Sequence, residues 1–307
     1  MITDRTWTSA DGLALFARDH APASGPAKLP VICIHGLTRN SRDFEVLAPL
    51  IAAQGRRVLS IDVRGRGNSG RDPNPANYNP AVYAADVIAL MAQSGIGRAH
   101  FVGTSMGGLI TMTLCAMRPD LIAGAVLNDI GPEVGAAGIA RIASYVGGAP
   151  AVSSWAQATA YAKAINGEAL PHLTDADWER FARRVFRDDH GVFSLDYDPA
   201  ISQAFKTAAP ASDGAPAAGV PDLWPLFGAL AKDRPLLLVR GETSDILDAD
   251  IAGRMSAAAP HMTRVEIPNM GHAPTLEAPE AKASIAALFG QAASILLVLE
   301  GAFTALL

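Results

Sequence analysis

The chain has 307 residues, of which 50% are hydrophobic and 18% are charged, and its formal net charge at pH 7 is −5. This length is enough for one large α/β domain with an insertion, or for two ordinary domains. The acidic balance provides no basic face for nucleic acid, and residues 1–7 lack the apolar core of a signal peptide, so we expect no nucleic-acid partner and a cytoplasmic location.

As far as residue 127, strand patterns alternate with helix patterns. Asp11-Gly12, a dipeptide typical of hairpin turns, joins two predicted antiparallel strands. Continuous apolar runs then predict parallel strands at 29–34, 58–61, 100–103 and 122–127. Apolar residues at helical spacing predict helices after Ser41, at 82–91 and at 107–117. This alternation predicts an α/β fold with a doubly wound, mostly parallel sheet.

The pattern changes between residues 131 and 233. Amphipathic stretches predict helices at 155–165, 177–186 and 224–230, no convincing strand lies between them, and 209–221 is typical of a loop. Such a helical block is best explained as a cap over a substrate pocket, with a packing extension remote from the chemistry as the alternative. We therefore predict a core of residues 1–130 and 234–307 and a helical cap insertion of residues 131–233.

Strand patterns resume at 235–239 and 264–267, and helices are predicted at 250–259 and from Pro279 onward. The apolar tail 291–307 is interrupted by Glu300 and Gly301, so it is too short and flawed for a stable membrane span. Three interpretations of this tail remain open: an extended terminal helix, a contact in a homodimer, or a segment foreign to the domain.

The sequence predicts neither a metal nor a cofactor. Cys33 and Cys115 fall in apolar segments, as buried thiols do, and no cluster of Cys and His has the spacing of a zinc site. The glycines of residues 62–70 do not follow the first strand or begin a helix, as those of a dinucleotide-binding loop do. This stretch instead predicts a tight structural turn.

The pattern Gly-x-Ser-x-Gly occurs at the end of a predicted buried strand, in Gly103-Thr104-Ser105-Met106-Gly107. We call this segment the elbow. The pattern predicts a sharp turn from strand into helix, with the serine hydroxyl at the sheet edge and the Met106 amide directed at a developing oxyanion. A serine in this place becomes a nucleophile when a histidine takes its proton and a carboxylate orients that histidine.

Asp245 and His272 supply these two groups in the chain order Ser, Asp, His. Each follows a predicted parallel strand, and the carboxyl ends of parallel strands meet at one edge, so the three side chains are expected to converge. Asp129, after the strand that follows the elbow, is the alternative acid, although a turn-forming role would also explain it. Arg39 near the pocket mouth is expected either to bind a substrate carboxylate or, more simply, to form a surface ion pair with Asp43 or Glu45.

From about residue 13 to residue 289 the chain resembles an α/β-hydrolase. The resemblance rests on His35-Gly36-Leu37, the turn at 62–69, the elbow, the segment 241–246 and Gly271-His272. It implies an eight-stranded sheet with an inserted helical cap, Ser105 as nucleophile, His272 as general base and then acid, and Asp245 as the orienting carboxylate. It also implies an oxyanion hole formed by the backbone amides of Leu37 and Met106, with His35 organising that loop and Ile246 lining the pocket. Some members of the family place the acid at the position of Asp129.

The resemblance further implies acyl transfer to water through an acyl-enzyme, with a small to medium carboxylic ester, thioester or lactone as substrate. Ser105 argues against the haloalkane dehalogenases and epoxide hydrolases of the family, which have aspartate at the elbow. An acyltransferase that uses the same acyl-enzyme, a serine carbon–carbon bond hydrolase and a perhydrolase remain open as alternatives. A binding protein that has kept the fold without the chemistry is disfavoured, because a complete set of catalytic residue types is present.

Overall fold

A computed structural model describes residues 1–23, 28–148, 151–203 and 222–289. Its strands are β1 (Ile2–Thr8), β2 (Ala14–His20), β3 (Val31–Ile34), β4 (Val58–Asp62), β5 (Ala99–Thr104), β6 (Ile122–Asn128), β7 (Phe186–Asp189), β8 (Val192–Leu195), β9 (Leu236–Gly241) and β10 (Thr263–Ile267). Its helices are α1 (Leu47–Ala53), α2 (Pro80–Gln93), α3 (Met106–Met117), α4 (Ala136–Tyr145), α5 (Trp155–Asn166), α6 (Asp175–Val185), α7 (Trp224–Ala231), α8 (Ala249–Ala258) and α9 (Pro279–Leu288).

Eight strands form one sheet in the order β1-β2-β4-β3-β5-β6-β9-β10. Strand β2 is antiparallel to both of its neighbours, and all the other neighbouring pairs are parallel, which confirms the predicted mostly parallel α/β sheet. Strands β3, β4, β6 and β9 are buried along their whole length. Successive residues of β3 enter two separate hydrophobic clusters, as expected for a strand with helices on both faces.

The segment between β6 and β9 differs from the prediction in two ways. Strands β7 and β8 form an antiparallel hairpin, so the expectation of no strand here is wrong. His190 and Gly191 both have positive φ in its two-residue turn. His-Gly can adopt this geometry, but the dipeptide is not a typical sequence signal of a hairpin turn. Helix α7, assigned by the prediction to the cap, packs against α3 of the core, and α4 is a helix that the prediction lacked. The predicted loop 209–221 and the tail 291–307 lie outside the described residues.

Buried Arg64 links the turn after β4 to helix α2 through an ion pair. Its side chain is 1% exposed and donates two hydrogen bonds of 2.7 Å to the Asp86 carboxylate. The same guanidinium contacts Asp72 and, at 2.9 Å, Asp11 in the first hairpin. Three carboxylates from separate segments therefore converge on one cation, which fixes the turn after β4.

We expect Arg64→Met to lower the free energy of unfolding by about 3–5 kcal/mol, because it leaves the buried carboxylates of Asp72 and Asp86 without their cation. Chemical denaturation measures the change. Arg118→Met removes an arginine whose ion pair with Asp120 is exposed, and it serves as the matched control with little expected effect. Equal destabilisation by the two substitutions would contradict the assignment.

Candidate active site

Ser105 lies in the turn between β5 and α3, at the carboxyl edge of the sheet. Its φ of 50° and ψ of −115° fall in a region that non-glycine residues rarely adopt. A Cβ on Gly103 would lie 2.5 Å from the Gly107 backbone, and a Cβ on Gly107 would lie 2.1 Å from the carbonyl oxygen of Ile34. The two glycines of the pattern are therefore required by space, and they allow the sharp turn that presents the serine.

His272, in the loop after β10, connects Ser105 to a buried carboxylate. Its Nε2 lies 2.7 Å from the Ser105 Oγ, and its Nδ1 lies 2.8 Å from a carboxylate oxygen of Asp129. The side chain of His272 is 7% exposed and that of Asp129 is fully buried. Because an ionised carboxylate only accepts hydrogen bonds, this arrangement assigns the imidazole proton to Nδ1 and leaves Nε2 to accept the serine hydroxyl.

The Asp129 carboxylate accepts two further hydrogen bonds. The Gly241 N–H donates to Oδ1 at 2.9 Å, and the Ser244 hydroxyl donates to Oδ2 at 2.6 Å. Asp129 follows β6, which neighbours β9, and its own N–H donates to the Val239 carbonyl at 2.7 Å. A φ of 57° at Asp129 then turns the chain out of the strand. Sequence reasoning did not single out Ser244, although it lies in the segment 241–246.

Asp245 forms a different contact, and the prediction that it orients His272 is wrong. Both of its carboxylate oxygens accept hydrogen bonds from Arg141 of α4, at 2.6 and 2.8 Å, and its side chain is 31% exposed. The hydrogen bonds from Arg141 lower the pKa of Asp245. The physical reason is local: the loop after β9 contacts Asp129 through Ser244, and the next side chain, that of Asp245, meets Arg141 of α4.

Arg66 contacts both residues whose amides are predicted to form the oxyanion hole. Its side chain is buried; Nε donates to the Leu37 carbonyl at 2.9 Å, and Nη2 lies 3.5 Å from the Met106 sulfur. Leu37 lines the cavity beside Ser105, whereas the Met106 side chain is buried in the core. One guanidinium thereby supports the loop after β3 and the start of α3 together.

His35 is fully buried behind the same loop. Its Nε2 accepts the N–H of Val63 at 3.0 Å, so Nδ1 carries the proton and donates to the Gly36 carbonyl at 2.7 Å. Burial lowers the pKa of His35 to about 3, and the ring is neutral. The expectation that His35 organises this loop by hydrogen bonding is confirmed.

A cavity, which we call the site cavity, opens beside Ser105 and His272. The core contributes Gly36, Leu37, Thr38, Arg39, Asp43 and Asn128 to its lining, and the segment between β6 and β9, the predicted cap, contributes Ile142, Tyr145, Asn166, Leu170 and Arg184. Ile246 does not fit its predicted place in this lining. It is 1% exposed, belongs to the hydrophobic core, and packs against Gly138 of α4.

Residues 30–279 match the family model described as the alpha/beta hydrolase fold. The chain belongs to the α/β hydrolase family. The 3-hydroxybutyrate-oligomer hydrolase of Cupriavidus necator is 33% identical over 253 residues, which cover 81% of this chain and 84% of that protein. The 2-(acetamidomethylene)succinate hydrolase of Mesorhizobium japonicum is 28% identical over 258 residues, covering 84% and 85%.

Among solved structures, an alpha/beta hydrolase from Novosphingobium aromaticivorans shares 44% identity and superposes with a TM-score of 0.84, covering 94% of this chain and 98% of that one. This α/β hydrolase is therefore an enzyme of the hydrolase class.

In residues 1–23, 28–148, 151–203 and 222–289, no helix is long and apolar enough to cross a membrane. The same residues contain no group of three His, Cys, Asp or Glu side chains placed to hold a metal.

The lowered pKa of His35 makes stability depend on pH. Below about pH 6.5 the unfolded chain binds a proton at this residue, whereas the folded protein excludes it until about pH 3. The free energy of unfolding should therefore fall on acidification through this window, with His35 contributing up to about 1.4 kcal/mol per pH unit.

Urea denaturation at a series of pH values measures this slope. His35→Gln should reduce the slope of unfolding free energy against pH by the contribution of His35. His190→Gln changes a side chain that is 99% exposed and should leave this slope unchanged. An unchanged slope in His35→Gln would contradict the linkage.

Proposed function

We propose that the protein hydrolyses small to medium carboxylic esters, with thioesters and lactones as related substrates, through an acyl-enzyme on Ser105. The observation that carries this proposal is the continuous hydrogen-bonded chain from Asp129 through His272 to Ser105. A hydroxyl whose proton can pass to a neighbouring imidazole is an activated nucleophile. The name of the Cupriavidus necator relative, a hydrolase of 3-hydroxybutyrate oligomers, supports an ester-type substrate.

In the first half of the reaction, His272 Nε2 takes the proton of Ser105 while Oγ bonds to the carbonyl carbon and the carbonyl electron pair moves to oxygen. The intermediate then collapses, the bond to the leaving alcohol breaks, and His272 gives that alcohol the proton. Water repeats the sequence: it gives a proton to Nε2 and attacks the acyl carbon, and Ser105 recovers its proton as the acid leaves. Asp129 remains ionised and stabilises the imidazolium in both halves.

The backbone amides of Leu37 and Met106 are the proposed donors to the oxyanion. A Cβ on Gly36, the residue before Leu37, would lie 3.7 Å from the Ser105 Cβ, so this loop passes directly beside the nucleophile. Met106 is the first residue of α3, where the helix dipole adds partial positive charge. Losing one such donor typically costs about 3–4 kcal/mol of transition-state stabilisation.

Ser105→Ala tests the proposal. With p-nitrophenyl hexanoate, the native enzyme should release one equivalent of p-nitrophenol in a burst and then turn over more slowly, because an activated aryl ester acylates the serine faster than water removes the acyl group. Ser105→Ala should show no burst and should lose several orders of magnitude in kcat. A fluorophosphonate should add to the native chain in a single equivalent, measured by intact mass, and should not add to Ser105→Ala.

Ser256→Ala, in helix α8, is the matched control and should retain both the burst and the adduct. Retained turnover or labelling in Ser105→Ala would overturn the proposal. Ester product in place of free acid when an alcohol is added would identify an acyltransferase.

A further inference from the structure

The site cavity lies next to a second cavity, which we call the cap cavity. The two share Thr38, Arg39, Tyr145 and Asn166 in their linings. The remainder of the cap cavity is lined by aromatic and aliphatic side chains of α5, α6, β7 and β8 and by the buried Tyr197. Arg39 is therefore a charged side chain at the junction of a site that is polar near Ser105 and apolar beneath the cap.

The guanidinium of Arg39 is held on one edge and one face. Its Nε and Nη2 lie 3.0 and 2.8 Å from the same Asp43 oxygen, which confirms the predicted ion pair, and its Cζ lies 4.0 Å from the centre of the Phe181 ring. A Cβ on Gly36 would lie 3.7 Å from both the Arg39 Cγ and the Ser105 Cβ, so the arginine stem starts beside the nucleophile.

This packing leaves donors of Arg39 unused. A guanidinium has five N–H groups, and Asp43 accepts on the edge formed by Nε and Nη2. Nη1 has no hydrogen-bond partner among the residues that the structure describes, although the side chain is only 22% exposed. By contrast, Arg184, the other cation of the lining, directs Nε and Nη2 to Glu45 and Nη1 to Glu277.

The surrounding charges decide which acceptor suits these donors. Arg39 and Arg184 carry two positive charges, and Asp43, Glu45 and Glu277 carry three negative ones. A substrate carboxylate would add a fourth negative charge to a group that is already negative overall. A neutral carbonyl oxygen accepts the same hydrogen bond without that repulsion.

We propose that Arg39 determines specificity by donating a hydrogen bond from its free edge to a second, uncharged carbonyl of the substrate. The preferred substrates are then esters that carry another ester or amide carbonyl near the scissile one. This inference rests on the proposed ester hydrolysis at Ser105. Arg39 is a binding residue here, held in position by Asp43 and Phe181, and it takes no part in proton transfer.

Three p-nitrophenyl esters of similar length test the inference: the methyl succinate diester, the hexanoate and the hydrogen succinate. They present a neutral carbonyl, a methylene group and a carboxylate near Arg39. We expect kcat/KM for the diester to exceed that for the hexanoate by about tenfold or more, as for a hydrogen bond from a charged donor, and the hydrogen succinate to be the poorest. In Arg39→Met the diester and the hexanoate should become equivalent.

Arg183→Met is the matched control, because Arg183 also pairs with a carboxylate and stacks on a ring, those of Glu179 and Trp155, but lies outside both cavities. It should keep the preference for the diester. Asp43→Asn is the second variant. It removes one of the negative charges around Arg39, so it should raise kcat/KM for the hydrogen succinate relative to the diester, and it tests the inference if Arg39→Met fails to fold.

A diester preference that survives in folded Arg39→Met would overturn the inference, as would the hydrogen succinate being the best substrate of the native enzyme. An unchanged ratio of kcat/KM for the hydrogen succinate to that for the diester in Asp43→Asn would also overturn it. Failure of the proposed function is distinguishable from these results, because then none of the three esters would show turnover that depends on Ser105.

Discussion

The buried carboxylate of Asp129 holds the candidate site together, because it accepts hydrogen bonds from the end of β9, from Ser244 and from His272. Its position depends in turn on the sheet, through the bond from its N–H to Val239. Each donor that is lost would leave a buried acceptor unsatisfied, at a cost of about 1–3 kcal/mol. The orientation of the imidazole is thus a property of the core and does not depend on a flexible contact.

The segment between β6 and β9, which we propose as a cap, is joined to the core by charged contacts around the rim of the site. Arg141 binds Asp245, and Asp196, which is 6% exposed, accepts hydrogen bonds from Asn40 and Arg42 of the loop after β3. A partly exposed pair such as Arg141 and Asp245 contributes little alone, but a buried carboxylate with several donors favours one arrangement of the two parts of the chain. The cavities beneath the cap are consequently shaped by both parts of the chain.

Most of the fold, and the turn that presents the candidate nucleophile Ser105, follow from sequence because they depend on local signals. The apolar runs specify β3 to β6, and two glycines specify the turn at Ser105, where any side chain would collide with backbone. Local signals could not decide which carboxylate orients His272, because Asp129 and Asp245 follow neighbouring parallel strands and lie at the same edge of the sheet. What separates them is the direction of each side chain, which depends on the positive φ at Asp129 and on Arg141 in an unpredicted helix.

The β7–β8 hairpin was missed for a related reason, since its short, half-exposed strands carry little apolar periodicity.

The most direct test of the site is to compare kcat for Asp129→Asn and Asp245→Asn on one p-nitrophenyl ester, with thermal unfolding to verify that both variants are folded. We expect Asp129→Asn to lower kcat by about 10⁴, because an amide in that place favours the wrong imidazole tautomer. Asp245→Asn removes only an ion pair with Arg141 and should stay within about tenfold of the native enzyme. A severe loss in Asp245→Asn together with an active Asp129→Asn would contradict the assignment of Asp129 as the residue that orients His272.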